Sequence, residues 1–109
     1  MSQKFEAQNA EWQSSKVKDI FSKELISHPE GTAKLILLKP GAVYPKHKHP
    51  NRTEYAYVIS GTPTILVGDT NYECQAGEFV TMPTDTIHSL ANHSSEDVTL
   101  FVGAIYHKE

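Results

Sequence analysis

The sequence predicts an all-β protein, built as an antiparallel sandwich or barrel of short strands. From residue 32 onward, short apolar or alternating segments follow one another, and turns that contain Gly or Pro separate them. Little of the chain has the spacing of an amphipathic helix. The predicted strands are 32–39, 44–49, 54–60, 62–67, 71–74, 78–82, 87–92 and 98–106.

The first third of the chain is harder to interpret. Residues 1–15 are polar and aperiodic, so we expect an arm or edge strand, with Trp12 packed over a core edge or a partner subunit. In residues 16–26 the apolar positions lie near helical spacing, but the segment is short and contains β-branched residues, which leaves helix and strand equally open. We expect residues 1–31 to pack as an arm and edge strand on a barrel formed by residues 32–109, in one domain overall.

Composition and charge exclude several classes of protein. The chain has 109 residues, of which 39% are hydrophobic and 21% charged, as in ordinary globular domains. A net charge of −3 and a single arginine, Arg52, argue against a nucleic-acid partner. No apolar run approaches the roughly 18 residues of a membrane span, and the polar start does not resemble a signal peptide. With one cysteine, Cys74, the chain cannot form an internal disulfide, and we expect a cytoplasmic protein.

Three histidines and a glutamate are the candidate functional residues. His47 and His49 are two residues apart, so an extended chain would direct both imidazoles to one face. Glu54 begins the next predicted strand, and His88 begins another one much later. Imidazole and carboxylate groups brought together in this way are typical ligands of a divalent transition metal.

The spacing of these residues resembles the two signature motifs of the cupin family, G(X)5HXH(X)3-4E(X)6G and G(X)5PXG(X)2H(X)3N. The first motif corresponds to Gly41, His47, His49, Glu54 and Gly61. The second corresponds to Gly77, Pro83, His88 and Asn92. Nine of the ten fixed positions match, and the exception is Asp85, which stands where the family has glycine. Aspartate tolerates turn and left-handed backbone better than most residues, so the departure affects the turn and leaves the ligand set unchanged.

This resemblance implies a jelly-roll barrel, the double-stranded β-helix of the family, with one metal site inside it. His47, His49, Glu54 and His88 would be the ligands of one divalent ion. Fe²⁺, Mn²⁺ or Ni²⁺ is favoured, and Zn²⁺ or Cu²⁺ is also compatible with nitrogen and oxygen ligands. On an octahedral ion these four ligands would leave two positions for water, substrate or dioxygen.

Strict alternation along the strands predicts the rest of the pocket. Val43 shares a face with His47, Ala56 and Val58 share one with Glu54, and Leu90 shares one with His88. We therefore expect these four residues to form an apolar wall beside the metal, suited to a small organic ligand. Arg52 lies in the predicted loop between ligands, where solvent exposure is favoured over contact with a substrate carboxylate.

The same alternation directs a second set of apolar side chains away from the pocket. They are Tyr44, Tyr55, Tyr57 and Ile59. They form either a dimer interface or ordinary packing within the fold, and the sequence does not decide between them. A homodimer is expected because a small open barrel gains stability by covering its edge strands.

The resemblance implies an enzyme that acts on a small oxygen-chelating molecule, and a dioxygenase is favoured. Glu54 would be a metal ligand and, if partly released, a catalytic base. One alternative is a cupin isomerase or lyase in which the metal is a Lewis acid. Another is a metal-dependent sensor or binding module without activity, similar to the regulatory cupin domains of anti-sigma factors related to ChrR.

Overall fold

The computed structural model describes residues 3–107, whose strands form two antiparallel sheets. One sheet has six strands in the order β1-β2-β3-β10-β5-β8, and the other has four in the order β4-β9-β6-β7. The strands are β1 Gln13–Ser14, β2 Ile20–His28, β3 Gly31–Leu38, β4 Val43–His47, β5 Arg52–Ser60, β6 Thr64–Val67, β7 Thr70–Glu73, β8 Phe79–Met82, β9 His88–Ala91 and β10 Val98–Tyr106. This is the all-β jelly roll that the sequence predicts.

Every predicted strand is present, and the observed ends differ from the predicted ones by no more than two residues. The turn at Gly68 and Asp69 joins β6 and β7 as a two-residue hairpin, because Val67 pairs with Thr70. Within residues 3–107 the helical content is a single 3₁₀ turn, Ala7–Asn9, and no helix is long and apolar enough to cross a membrane.

The segment that the sequence left open between helix and strand is a strand. Its residues 20–26 belong to β2, which pairs antiparallel with β3 and begins with the buried Ile20, and residues 16–19 form a turn before this strand. The N-terminal arm lies beside it, since Gln13–Ser14 pairs with β2 as a short edge strand. The half-buried Trp12 packs under the ammonium of Lys23, whose Nζ lies 4.7 Å from the ring centroid and donates to the Ala7 carbonyl at 2.9 Å.

The hydrophobic core lies between the inner faces of the two sheets. Its fully buried members include Leu38, Ala56, Val58, Ile65, Val98 and Leu100. Burying each Val or Leu side chain stabilises the fold by roughly 1.5–3 kcal/mol. The inner face of the large sheet is apolar where it forms this core and polar towards the start of β5 and the end of β10. The polar part contains Arg52, its pairing partner Tyr106 and Glu54.

Two turns fix the ends of the strands that carry the candidate ligands. Gly61 ends β5 with a φ of 87°, where a Cβ would lie 2.6 Å from the Asp97 carbonyl oxygen. Asp85 adopts the left-handed region with a φ of 58°, so it accepts the turn geometry for which the family pattern uses glycine. Its backbone N–H donates to the His49 carbonyl at 2.8 Å, which ties this turn to the first motif.

Candidate metal centre

The fold brings the four predicted ligands together at the polar end of the space between the sheets. His47 ends β4, His49 lies in the following loop, Glu54 is on β5 and His88 begins β9. One ligand atom from each residue lies within 4.8 Å of the others. His47 and His88 are direct partners across the β4–β9 pairing, which explains why residues from separate motifs meet.

Hydrogen bonds within the cluster involve mainly Glu54 and His88. Nε2 of His88 donates to Oε1 of Glu54 at 2.9 Å, and Nε2 of His49 lies 3.5 Å from the same oxygen. The His47 and His88 ring centroids are 4.2 Å apart. His88 is 3% exposed, whereas the other three residues are partly exposed, so the cluster has a buried side and a side open to ligands.

Backbone carbonyls orient two of the imidazoles. Nδ1 of His47 lies 2.9 Å from the Pro45 carbonyl oxygen, and Nδ1 of His88 lies 3.1 Å from that of Thr86. A proton on Nδ1 satisfies each of these bonds and assigns Nε2 as the metal-binding nitrogen. Metal-binding histidines in proteins are commonly held in this way by an acceptor on the second nitrogen.

The pKa values of Glu54 and His88 move in opposite directions. Burial is the largest single effect on Glu54 and would raise its pKa, but the hydrogen bond from His88 and the charge of Arg52 outweigh it, so the pKa is lowered. Burial is also the largest effect on His88 and would lower its pKa, but hydrogen bonds to Glu54 and the Thr86 carbonyl outweigh it, and the pKa is raised. Without metal, a proton on Nε2 of His88 therefore links the two groups.

The cluster fits a divalent transition-metal ion. Three imidazole nitrogens and one carboxylate oxygen are ligand types that such ions bind well in proteins. Ligand atoms about 2.0–2.2 Å from a common ion lie at most about 4.4 Å from one another. Since the four atoms already lie within 4.8 Å, shifts of a few tenths of an ångström would bring them to an ion that replaces the shared proton.

Comparison with known proteins decides the family. The family model described as a cupin domain matches residues 34–103, which is more than half of the chain and includes all four candidate ligands. The chain belongs to the cupin family.

The proteins that this cupin resembles carry different names. Mannose-1-phosphate guanylyltransferase of Salmonella muenchen is 36% identical over 59 residues, which are 54% of this chain and 12% of that protein. Germin-like protein 3-1 of Oryza sativa subsp. japonica is 37% identical over 60 residues, which are 50% of this chain and 27% of that protein. The cupin thus matches a minor part of each of these proteins. KdgF from Halomonas shares the fold, with a TM-score of 0.84 at 19% identity, over 100% of this chain and 96% of that one.

A cavity of about 450 Å³ adjoins the candidate ligands of this cupin. Of the predicted pocket wall, only Leu90 lines it. Ala56 and Val58 do share the inner face with Glu54, but they are 0% exposed and lie deeper, in the packed core. Val43 is 49% exposed and lies outside the cavity, so its prediction as a wall residue is corrected.

An irregularity in β4 explains the error at Val43. The pairing advances three residues on β4, from Tyr44 to His47, but only two on β9, from Leu90 to His88. One extra residue on β4 is a bulge, and it reverses the alternation that we assumed. Tyr44 consequently lines the cavity, with its ring 4.9 Å from that of His47, although strict alternation directed it outward.

Arg52 lies in the cavity, although the sequence favoured a solvent-exposed position for it. It is the first residue of β5 and is not a loop residue, so alternation places it on the same inward face as Glu54. It lines the cavity, and its Nη2 lies 2.7 Å from Nε2 of His49. Burial first, and the Arg52 charge second, lower the pKa of His49, which keeps that imidazole neutral and able to bind metal.

Proposed function

We propose that this cupin is a metal-dependent enzyme that acts on a small organic molecule with chelating oxygen atoms, and that a dioxygenase is the most suitable type. The observation that carries the proposal is the convergence of His47, His49, Glu54 and His88 within 4.8 Å at the wall of a 450 Å³ cavity. A structural metal would need no such cavity. A catalytic one needs ligand positions that a substrate can reach.

The four residues would hold the ion, with Fe²⁺, Mn²⁺ or Ni²⁺ favoured and Zn²⁺ or Cu²⁺ also compatible. When bound, a redox-active ion supplies electron transfer to dioxygen, and any of these ions supplies Lewis-acid polarisation of a carbonyl or enol oxygen. The chain contributes three neutral imidazoles and one carboxylate, which leave the ion a net positive charge. That charge favours the ionised form of an enolisable or acidic substrate.

Glu54 fits the role of ligand better than that of a strong base. Its lowered pKa means that the carboxylate is ionised at neutral pH, as a ligand must be. A lowered pKa also weakens a proton acceptor, so Glu54 would take a substrate proton only after release from its cationic neighbours. We retain it as the candidate catalytic residue because no other carboxylate belongs to the cluster among residues 3–107.

Metal content tests the proposal directly. Untagged protein, purified without added metal or chelator, should contain close to one divalent ion per chain by elemental analysis. The His47→Ala/His88→Ala variant should lose it, and Glu54→Gln should bind it more weakly. A His93→Gln variant removes an exposed imidazole outside the cluster and should keep the full metal content.

Oxygen uptake by the metal-loaded protein then separates the candidate functions. Consumption that depends on an added enolisable substrate supports the dioxygenase. Conversion of a substrate without oxygen uptake would establish the isomerase or lyase alternative. Ligand-dependent increases in melting temperature without any conversion would favour the sensor or binding module, and metal content unchanged in the double variant would refute the proposed centre.

We further propose a cytoplasmic location. Cys74, the only cysteine of the 109 residues, is 6% exposed, and burial together with Glu78 and Glu73 raises the pKa of its thiol. A buried, protonated thiol is unreactive, and a chain with one cysteine and therefore no internal disulfide is typical of a reducing compartment. Cell fractionation with an antibody against the protein tests this, and recovery in a secreted or membrane fraction would contradict it.

A further inference from the structure

Arg52 lies inside the cavity, where its charge lowers the pKa of the Glu54 carboxyl without an ion pair between the two groups. The ion pairs within residues 3–107 do not include it, and the carboxylate of Glu54 is instead taken by His88 and His49. Its contacts are with neutral groups: Nη2 approaches His49, and Nη1 lies 3.4 Å from the Tyr106 hydroxyl, a weak hydrogen bond. The guanidinium also lies 5.7 Å from the centroid of the Tyr106 ring.

Part of the Arg52 side chain is left without any hydrogen bond. Its Nε is buried and has no partner in the structure. An unsatisfied buried donor costs free energy, and arginine carries a fork of five N–H donors that is most fully satisfied by a planar anion. Arg52 therefore has recognition capacity that the rest of the fold does not use.

A bound metal would change the surroundings of Arg52. The guanidinium nitrogen lies 2.7 Å from Nε2 of His49, which is the nitrogen nearest the Glu54 carboxylate. One lone pair cannot bind both a guanidinium N–H and a metal ion, and the two positive charges repel. Since Arg52 shares the inward face of β5 with Glu54, a guanidinium displaced from His49 remains within reach of the cavity.

We propose that Arg52 recognises a carboxylate of the molecule bound in the cavity, so the substrate or ligand class of this cupin is small organic acids. This inference rests on the proposed function in that the acid occupies the same cavity as the metal centre. The planar guanidinium matches a carboxylate through two parallel N–H···O bonds. Metal binding and acid binding support each other, because the metal releases Arg52 from His49 and the acid neutralises the added charge.

The remaining cavity wall suits the carbon skeleton of such an acid. Met82 and Leu90 supply apolar contacts, and Tyr44 and Tyr106 supply aromatic rings with hydroxyl groups. A volume of about 450 Å³ accommodates a molecule of a few carbon atoms together with water. A sugar phosphate in the cavity could be bound by one arginine at most, because Arg52 is the only arginine of the chain.

A matched pair of ligands tests the assignment. Lactate and lactamide have the same shape and both offer a hydroxyl and a carbonyl oxygen, but only lactate is charged. Titration calorimetry on Ni²⁺-loaded protein should show clear preference for lactate in the wild type. Arg52→Gln should weaken lactate binding by about 10- to 100-fold, the range for a lost hydrogen-bonded charge pair, and should leave lactamide binding nearly unchanged.

Two further variants control for charge and geometry. Lys48→Gln removes one positive charge between His47 and His49 from an exposed side chain that does not line the cavity, and it should keep the full preference for lactate. Arg52→Lys keeps the charge but loses the planar fork, so it should retain only part of the preference. This second Arg52 variant decides the question if Arg52→Gln does not fold.

Metal affinity is an independent readout. Arg52→Gln should bind Ni²⁺ at least as tightly as the wild type, because it removes a competitor for His49. Weaker Ni²⁺ binding would overturn the proposal and would mean that Arg52 is a structural residue. An undiminished preference for lactate would also overturn it, because the carboxylate would then bind the metal and not Arg52. If the wild type binds no metal, the proposed function fails; lactate preference of the metal-free protein that depends on Arg52 would still support the assignment of Arg52.

Discussion

At the scale of single residues, the proton between Glu54 and His88 determines how the site responds to pH. Both ring nitrogens of His88 face acceptors, the Thr86 carbonyl and the Glu54 carboxylate, so the metal-free site stabilises the imidazolium form and raises the pKa of His88. A metal can bind only after this proton leaves. Binding of a metal ion to Glu54 and His88 therefore releases the proton that they share.

Metal affinity should fall as the pH is lowered from 8 to 5. An ordinary imidazole is half protonated near pH 6.5, and the raised pKa of His88 means that competition begins above that value. His49, whose pKa is lowered, joins the competition only at lower pH. Competition titrations with a fluorescent chelator at several pH values would measure the change. His93→Gln should show the same profile, and affinity constant down to pH 5 would argue against histidine ligands.

The ligands themselves could be predicted from the sequence because the positions of three of them are determined by strand geometry. His47 and His88 lie on the paired strands β4 and β9, and Glu54 lies on the inner face of β5. His49 lies in the loop after β4, so its motif spacing, and not a strand period, identified it. Arg52 was different: it follows Pro50 and Asn51, which are typical of loops, and its role depends on β5 beginning two residues earlier than the sequence indicates. Strand ends are decided by hydrogen bonding that local residues do not reveal.

At the scale of elements, the bulge in β4 shows how a single extra residue changes what a strand presents. The pairing with β9 decides that Tyr44, and not Val43, faces the cavity. Pro45 is the local signal of the irregularity, because proline lacks a backbone N–H and within sheets is found at edge strands and bulges; the assumption of strict alternation passed over it. The segment 16–26 was undecidable for a different reason, since its apolar spacing satisfies both periods and only pairing with β3 makes it a strand.

Two glycines with the same backbone conformation allow the cost of a close approach to be measured. Gly41 and Gly61 both have a φ of 87°, but a Cβ at Gly41 meets nothing within 4 Å, whereas at Gly61 it would lie 2.6 Å from the Asp97 oxygen and 2.7 Å from Val98. Gly41→Ala should cost about 1–2 kcal/mol for the left-handed backbone alone. Gly61→Ala should cost about 1–3 kcal/mol more because β5 and the start of β10 must move apart.

Urea unfolding of both variants, with chelator present so that metal binding does not contribute, measures the two free energies. Equal destabilisation would mean that the turn after β5 relaxes freely and that Gly61 is required only for its φ. The motif position of Gly61 would then reflect backbone conformation, as at Gly41. If Gly61→Ala destabilises the protein more than Gly41→Ala does, Gly61 also determines how closely β5 approaches β10. These two paired strands carry Glu54 and Ala104.

At the scale of the whole molecule, the two faces of the large sheet have different tasks. The inner face forms the core and the candidate site, while the outer face carries a row of apolar side chains on β5, β8 and β10. Tyr55 stacks between Phe79 and Phe101, with centroids at 5.4 and 6.3 Å, and Tyr57 pairs with both phenylalanines across its neighbouring strands. Tyr57, Ile59 and Phe79 are 43%, 45% and 57% exposed.

We propose that a second copy of the chain covers this outer face. The row consists of Tyr55, Tyr57, Ile59, Phe79 and Phe101. It is uncharged, so two copies can meet through it about a two-fold axis without like charges opposing each other. It also extends onto β8, an edge strand of the six-stranded sheet, so a second copy would cover the sheet out to this edge. Multi-angle light scattering at micromolar concentration should therefore give twice the chain mass.

Charge placed on the outer face should dissociate the dimer. Tyr57→Lys puts two like charges close to the two-fold axis and removes aromatic contact, so we expect the monomer mass or at least a tenfold weaker association. Tyr72→Lys is the matched control, since Tyr72 is 48% exposed but lies on β7 of the opposite sheet. A wild-type monomer, or a dimer that Tyr72→Lys disrupts and Tyr57→Lys does not, would refute this interface. Because the site and the outer face use opposite sides of β5, Tyr57→Lys should leave metal content unchanged.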